Sequence, residues 1–391
     1  MKISFIAKGL LVVALTAIFC VATDATVSAQ KKKKEKAKKE KITDPRLLTV
    51  MSMTKMSKES QYIVKNRALK TNHRAVQGFD ISADGTMWFS QPGQTGKNQQ
   101  GLTKIHENYV VRIKDGKRET MTLRYFGGAN SIFVENAEDG DYVWIGSNGD
   151  KWKGSYNRTR TISRVPFTVD GEANNGYAGE TYFLGGNSAR YARPAIDVEN
   201  DLLCVSTQNA GAVTVHIYNL TEARSLSDSN IKLKTTWKGE MVGEDEETVV
   251  RTIKAKDLTT LEPLYTFTIA KPDKETADPA KVPNYYTYRA LDIDKDYVYF
   301  VEGQHNKGNK KVESKGYITV FDHAGRVVLP KRRIQAIHDM YLLENIGITP
   351  YGYADVAGIQ VKGSTIYILF AAQNIDSRGK KVLRANVVKY E

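Results

Sequence analysis

The chain has 391 residues, with 57 Lys and Arg against 44 Asp and Glu, a net charge of +13 and two cysteines. Two cysteines, one of them in an apolar N-terminal run, exclude a disulfide framework, and a chain this long can bury a core without one. The positive excess would suit nucleic acid, but its densest run carries no aromatic residues between the lysines, so no nucleic-acid partner is expected.

The N-terminus reads as a secretory signal of the bacterial type. Lys2 and Lys8 supply a positive region, residues 9–22 are almost wholly apolar, and Val27-Ser28-Ala29 offers the small residues required for cleavage. The apolar run is about 14 residues, short of a permanent membrane span. Phe19 stands where a small residue would precede a lipidated Cys20, so cleavage is expected after Ala29. No later segment is apolar enough to span a membrane, and the chain is expected to be periplasmic, surface-associated or secreted.

Residues 31–41, KKKKEKAKKEK, hold eight Lys and two Glu. Such a block repels itself and has no apolar face, which predicts a disordered tail over residues 30–45. It is expected to act as a solvated tether, with attachment to a polyanion through charge alone as the alternative.

The body, residues 46–391, is read as one β-rich domain. Short β-branched and aromatic runs alternate with Asp-Gly and similar turns such as Asp84-Gly85 and Asp139-Gly140. An internal repeat organises it. A small and an apolar residue open a strand, a turn follows, and a second apolar strand ends in Gln or Asn. The units are GFDISADGTMWFSQ (78–91), SIFVENAEDGDYVWIGSN (131–148), AIDVENDLLCVSTQ (195–208), ALDIDKDYVYFVEGQ (290–304) and GIQVKGSTIYILFAAQN (358–374). Two further strand-like runs follow each of the first four.

Four strands per unit at this spacing predict an all-β, five-bladed β-propeller with four-stranded antiparallel blades. After the last unit only one run remains, VLRANVVKY (382–390). Residues 60–70 are therefore expected to supply the missing strand and close the ring by pairing the N- and C-terminal strands. The long third spacing places an insertion at about 222–282, with acidic residues 244–247 and an expected extra hairpin within 249–270. Cys204 sits in an apolar strand and reads as a buried structural thiol.

In a propeller the start of each inner strand and the end of each second strand lie at the same mouth. His73, Arg74, Gln77, Asn130, Arg193, Tyr288, Arg289, Tyr353 and Asp355 precede or open inner strands. Gln91, Asn148, Gln208, Gln304 and Gln373 end second strands. Amides donate and accept, Arg forks onto anions and Tyr stacks on sugar faces, so this set suits a ligand rich in hydroxyls or phosphates. The same amides can equally cap exposed backbone at strand ends.

Two similar stretches, Tyr125-Phe126-Gly127-Gly128 and Phe183-Leu184-Gly185-Gly186, precede inner strands. They read as blade-to-blade turns that need positive φ, because no helix follows to receive a phosphate. The six histidines are scattered without zinc spacing, and Asp292, Asp294 and Asp296 lack the glycine and distal glutamate of a calcium loop. No metal or cofactor is expected. Asp80, Asp197 and Asp292 share one repeat position and read as structural. Asp355 is then the single acid expected at the mouth, where a five-bladed glycosidase needs two or three, so no catalytic residue is assigned.

QGFDISADGTMWFSQ (77–91), GGANS (127–131) followed by VWIGS (143–147), and AIDVEN with VHIYNL (195–220) resemble the helveticin J-like proteins, also called class III bacteriocins, and the TagC-like propellers of teichoic-acid gene clusters. The resemblance runs over most of residues 70–391. The insertion is its main departure, and Ala129 stands where the family tends to have histidine. It implies a five-bladed propeller that binds cell-surface glycan, with bacteriocin-like toxicity implied by the family name. The expected function is glycan or cell-envelope polymer binding at the mouth, the alternatives being a secreted toxin, a glycoside hydrolase or a protein-interaction scaffold.

Overall fold

The computed structural model describes residues 42–391, except 56–57, 59–60, 94–95, 98–102, 105–106, 129, 153–154, 175–178, 186–190, 210, 239–245, 271–286, 305–313 and 349–353. The expectations for the signal, Cys20 and the lysine run lie outside the described residues. The rest is a five-bladed β-propeller of four-stranded antiparallel blades.

Blade 1 comprises β2 (Gly78–Ile81), β3 (Met87–Pro92), β6 (Glu107–Lys114) and β7 (Lys117–Arg124), ordered from the axis outward. Blade 2 comprises β8 (Ile132–Ala137), β9 (Gly140–Ser147), β12 (Thr161–Pro166) and β14 (Glu180–Phe183). In blade 3 the order is β15 (Arg193–Asp197), β16 (Leu202–Asn209), β17 (Ala212–Asn219) and β20 (Tyr265–Ile269). Blade 4 holds β21 (Thr287–Ile293), β22 (Tyr297–Gln304), β23 (Lys315–Asp322) and β24 (Val327–Arg333). Blade 5 holds β25 (Ala354–Lys362), β26 (Thr365–Ile375) and β27 (Lys381–Tyr390), and its outermost strand is β1 (Tyr62–Arg67) from the other end of the chain.

Second strands are apolar on both faces because each face meets a different blade. Successive side chains on a strand point to opposite sides. Trp88 therefore packs with Val143 and Ile145 of blade 2, while its neighbour Phe89 packs with Leu369 and Val387 of blade 5. Trp144 turns toward Leu203 and Val205 of blade 3. Cys204, between those two, is buried on the opposite face of β16, and burial pushes its thiol pKa well up, as befits a packing residue.

The inner strands contact one another around a complete ring. Side chains cross the junctions as well. The Val134 N–H donates to Asp80 Oδ2 at 2.6 Å between blades 1 and 2, and Ser131 Oγ donates to the Pro194 carbonyl at 3.0 Å between blades 2 and 3. Arg193 Nη1 donates to the Arg289 carbonyl at 2.7 Å between blades 3 and 4. The Val361 N–H donates to Asp292 Oδ2 at 2.6 Å between blades 4 and 5, and Gln360 Nε2 donates to the Phe79 carbonyl at 3.2 Å between blades 5 and 1. The structural reading of Asp80 and Asp292 is thereby explained.

The insertion departs from its expected form. After β17, helix α2 (Leu220–Ser225) leads into a hairpin of β18 (Asp228–Lys238) and β19 (Glu246–Asp257). That hairpin leaves its own blade and joins the outer edge of blade 2, where β19 runs parallel to β14 through Tyr182↔Lys256 and Phe183↔Asp257. The run YTFTI, expected in the extra hairpin, is instead the fourth strand of blade 3. Blade 2 likewise lends β13 (Glu172–Asn174) to the edge of blade 1. Helix α1 (Pro45–Ser52) precedes the ring, capped by Asp44. It is tethered to blade 4 by Arg46, which lies 3.0 Å from Asp294 and 2.7 Å from Asp296.

Ring closure rests on β1, whose residues alternate: Val64 is 6% exposed and Ile63 is 40% exposed. Val64→Asp places a charge inside blade 5 and is expected to cost about 2–4 kcal/mol in chemical denaturation, whereas Ile63→Asp changes stability by less than about 0.5 kcal/mol. Equal effects of the two substitutions would mean that β1 does not seal the ring.

Candidate functional site

At the mouth where the inner strands begin, a small pocket of about 30 Å³ lies on the ring axis. Every blade contributes to it: Gln77 before β2, Asn130 before β8, Arg193 on β15, Tyr288 and Arg289 on β21, and Asp355 on β25. Short inner strands make this convergence possible, because each begins close to the axis and then runs away from the mouth. Six of the residues expected at the mouth are thus brought together.

The floor is a chain of polar contacts. Arg289 Nη2 pairs with Asp355 Oδ2 at 2.8 Å. Arg193, 9% exposed, donates to the Arg289 carbonyl, and its guanidinium lies 4.2 Å from the centre of the Tyr288 ring. The Tyr288 hydroxyl is 2.7 Å from Ser206 Oγ, which locks the ring. Burial pulls the Arg193 pKa below its ordinary value, and the neighbouring Arg289 charge acts in the same direction. Among the described residues no carboxylate pairs with Arg193. The Nε groups of Arg193 and Arg289 are buried without a hydrogen-bond partner.

Other expected ligands have structural work instead. Gln91 is buried and holds the loop before β2: its Nε2 donates to the carbonyls of Thr71 at 2.9 Å and Arg74 at 2.6 Å, and its Oε1 accepts from the Thr71 N–H. His73 and Arg74 are exposed on that loop. Asn148 is buried with φ of 52°, and donates to Thr161 Oγ1 at 2.8 Å. Gln208, Gln304 and Gln373 are half-buried, in ladder register with Val213, Lys315 and Leu383, and do not line the pocket. Tyr353 lies outside the described residues. Gly127 and Gly185 have φ of 88° and 95°, as the two Gly-Gly turns required.

At the opposite end of the channel a larger cavity of about 1020 Å³ opens between the hairpins that follow the inner strands. Its wall carries Asp80, Asp197, Asp292 and Asp294, with Lys362 and Arg46 among them. Sequence reasoning saw the shared acid position but not this convergence with Lys362, which requires the closed ring. Lys362 Nζ lies 3.4 Å from Asp80 Oδ1. Burial raises the pKa of Asp80, and pushes Asp292 up to about 8 against the pull of Lys362 and of the Val361 and Ile293 N–H groups. Burial works against the Lys362 ammonium, but Asp80 and Asp292 beside it hold its pKa above the ordinary value. Among the described residues no group of three or more His, Cys, Asp or Glu is arranged to hold a metal ion, and no helix is long and apolar enough to cross a membrane.

No protein-family model and no curated protein matches the chain. Among solved structures it is similar to a thermostable family-43 glycoside hydrolase, at 9% identity and a TM-score of 0.36, over 82% of this chain and 91% of that one. A GH43_1 enzyme from Xanthomonas citri is similar at 10% identity and a TM-score of 0.35, over 87% of this chain and 92% of that one. Likeness at this level carries no argument about activity.

Asp292 yields a pH prediction. Its folded pKa, about 8, lies above the ordinary 3.8, so its contribution to stability is complete below 3.8 and is lost as pH rises through about 8. Between about pH 5 and pH 8 the thermal midpoint of the native protein is expected to fall by a few degrees relative to Asp292→Asn. Parallel pH profiles in scanning calorimetry would show that Asp292 does not titrate in this window.

Proposed function

We propose that this protein is a binding propeller of the cell envelope or exterior, which takes a glycan, or another polyhydroxylated or anionic ligand, at the mouth where the inner strands begin. The observation that carries this reading is the meeting of polar side chains from all five blades on one axis. Two amides, a tyrosine and two arginines can serve hydroxyl and anionic groups from several directions at once. The export signal read in residues 1–29 would deliver the chain to where such polymers are found. The lysine run would add a charge-based hold on a polyanionic surface, and a toxin of bacteriocin type would use the same mouth to reach its target cell.

Binding is favoured over hydrolysis at this mouth because, among the described residues, Asp355 is the one carboxylate lining the pocket and is paired with Arg289. Glycoside hydrolysis as a second reading is favoured by one observation, the convergence of Asp80, Asp197 and Asp292 on the wall of the opposite cavity. Its expected sign is release of reducing ends that Asp292→Asn abolishes.

A glycan array screened with the full chain and with Arg289→Ala tests the leading reading. The expected result is retention of a defined glycan class by the native protein and at least about tenfold weaker retention by the variant, with unchanged circular dichroism. Equal retention by both would remove the site from this mouth. A blank array with a folded protein would overturn glycan binding.

A further inference from the structure

The large cavity, the lysine-bearing face of the lent hairpin and the axial pocket differ in what they leave unsatisfied. In the large cavity Asp80 and Asp292 are already occupied with N–H groups of the next blade. On the hairpin, Lys232, Lys234 and Lys254 are exposed to solvent and lack nothing that a partner must supply. The axial pocket differs. It contains a buried cation whose counter-ion is missing from the described protein.

Arg193 is 9% exposed, and a guanidinium at that depth ordinarily has a carboxylate beside it. Its neighbours give it a carbonyl oxygen and an aromatic face, which ease the charge without cancelling it. The nearby Arg289 has its own carboxylate in Asp355. Among the described residues, two guanidinium groups against one carboxylate leave the floor with one uncompensated positive charge, and both Nε–H donors there are without a hydrogen-bond partner.

We infer that the axial pocket receives the carboxylate of an acidic sugar, with Arg193 as its counter-ion. The inference rests on the glycan reading and sharpens it to a substrate class. Shape and charge select the group. The pocket between the described residues, about 30 Å³, is on the scale of the end of a small planar substituent rather than of a sugar ring. A uronate or sialate carboxylate is pendant and carries a single charge, which matches the single uncompensated guanidinium. A phosphodiester is flanked by chain on both sides and cannot enter end-on, and a phosphate monoester brings a second charge that nothing on the floor would balance. The carboxylate accepts from the guanidinium donors, while the half-buried amides of Gln77 and Asn130 at the same pocket are placed to meet ring hydroxyls.

Matched pairs of ligands test this without altering the protein. Calorimetric titration of the full chain would compare sialyllactose with lactose, and oligogalacturonate with the same oligomer after reduction of its carboxyls. Poly(glycerol phosphate) would report attraction to phosphate polymers, including attraction by the lysine run, which follows polymer charge and is screened by salt. The expected result is at least about tenfold tighter binding of an acidic member than of its neutral partner at physiological salt. Arg193→Gln is expected to remove that preference for the acidic member. Should Arg193→Gln fail to fold, Arg193→Lys retains the charge without the fork and is expected to reduce the ratio only in part. Equal binding within each pair overturns the carboxylate inference and leaves glycan binding standing. Preference for poly(glycerol phosphate) that survives in Arg193→Gln also overturns it. Absence of binding by all the sugars, with a folded protein, overturns both readings.

Discussion

Five separate sheets become one molecule through the contacts between their inner strands, and the rest of the structure depends on those contacts. A strand at the axis has its ladder partner on one side only, and its other backbone edge faces the channel. Asp80 and Asp292 reach across to accept the N–H of a residue in the next blade, while Gln360, Ser131 and Arg193 donate to carbonyls across the remaining junctions. Backbone groups near the axis are thereby satisfied by neighbouring side chains. The same hydrogen bonds set the angular position of each blade, and hence where each strand's first residue stands at the mouth.

Arg193 illustrates how closely architecture and site are joined. Its bond to the Arg289 carbonyl belongs to the junction between blades 3 and 4, yet its charge belongs to the axial pocket. At the other end of the channel, the acids that secure the junctions leave an acidic wall with Lys362 among them. The two mouths therefore differ in chemistry: among the described residues one is narrow, with two guanidinium groups and one carboxylate, and the other is wide and predominantly acidic. An exposed sheet edge is a hazard that the fold also manages. Blade 5 is sealed by β1, and the edges of blades 1 and 2 are extended by strands lent from the blade that follows. Lending ties successive blades together at the rim as the junction bonds do at the axis.

Much of the architecture was legible because it repeats. Phe79, Ile132, Ile196, Leu291 and Ile359 recur where the inner strands open, and an apolar second strand follows each of them. Ring closure by residues near 60–70 followed from counting strands, and Tyr62↔Val388 realises it. The repeated terminal amide was legible too, but its role was not. Gln91 and Asn148 carry the residue type of a ligand and are spent on the Thr71–Arg74 loop and on Thr161. Sequence periodicity records that a polar group is needed at a strand end, and is blind to whether backbone or ligand needs it.

By itself, then, the sequence determined local period, strand number, turn chemistry and the set of residues that open each inner strand, because these depend on side chains a few positions apart. Only the tertiary structure decided which of them meet. Gln77, Asn130, Arg193, Tyr288 and Asp355 are scattered over almost the whole ring and share a pocket because the ring closes. The destination of β18 and β19 was likewise invisible, since an amphipathic hairpin can add to any open edge and only the neighbouring blade's geometry selects one. Whether Arg193 has a counter-ion is the same kind of question. Charge balance in a buried site is a property of what surrounds it in space, and no reading of residues in order can supply that.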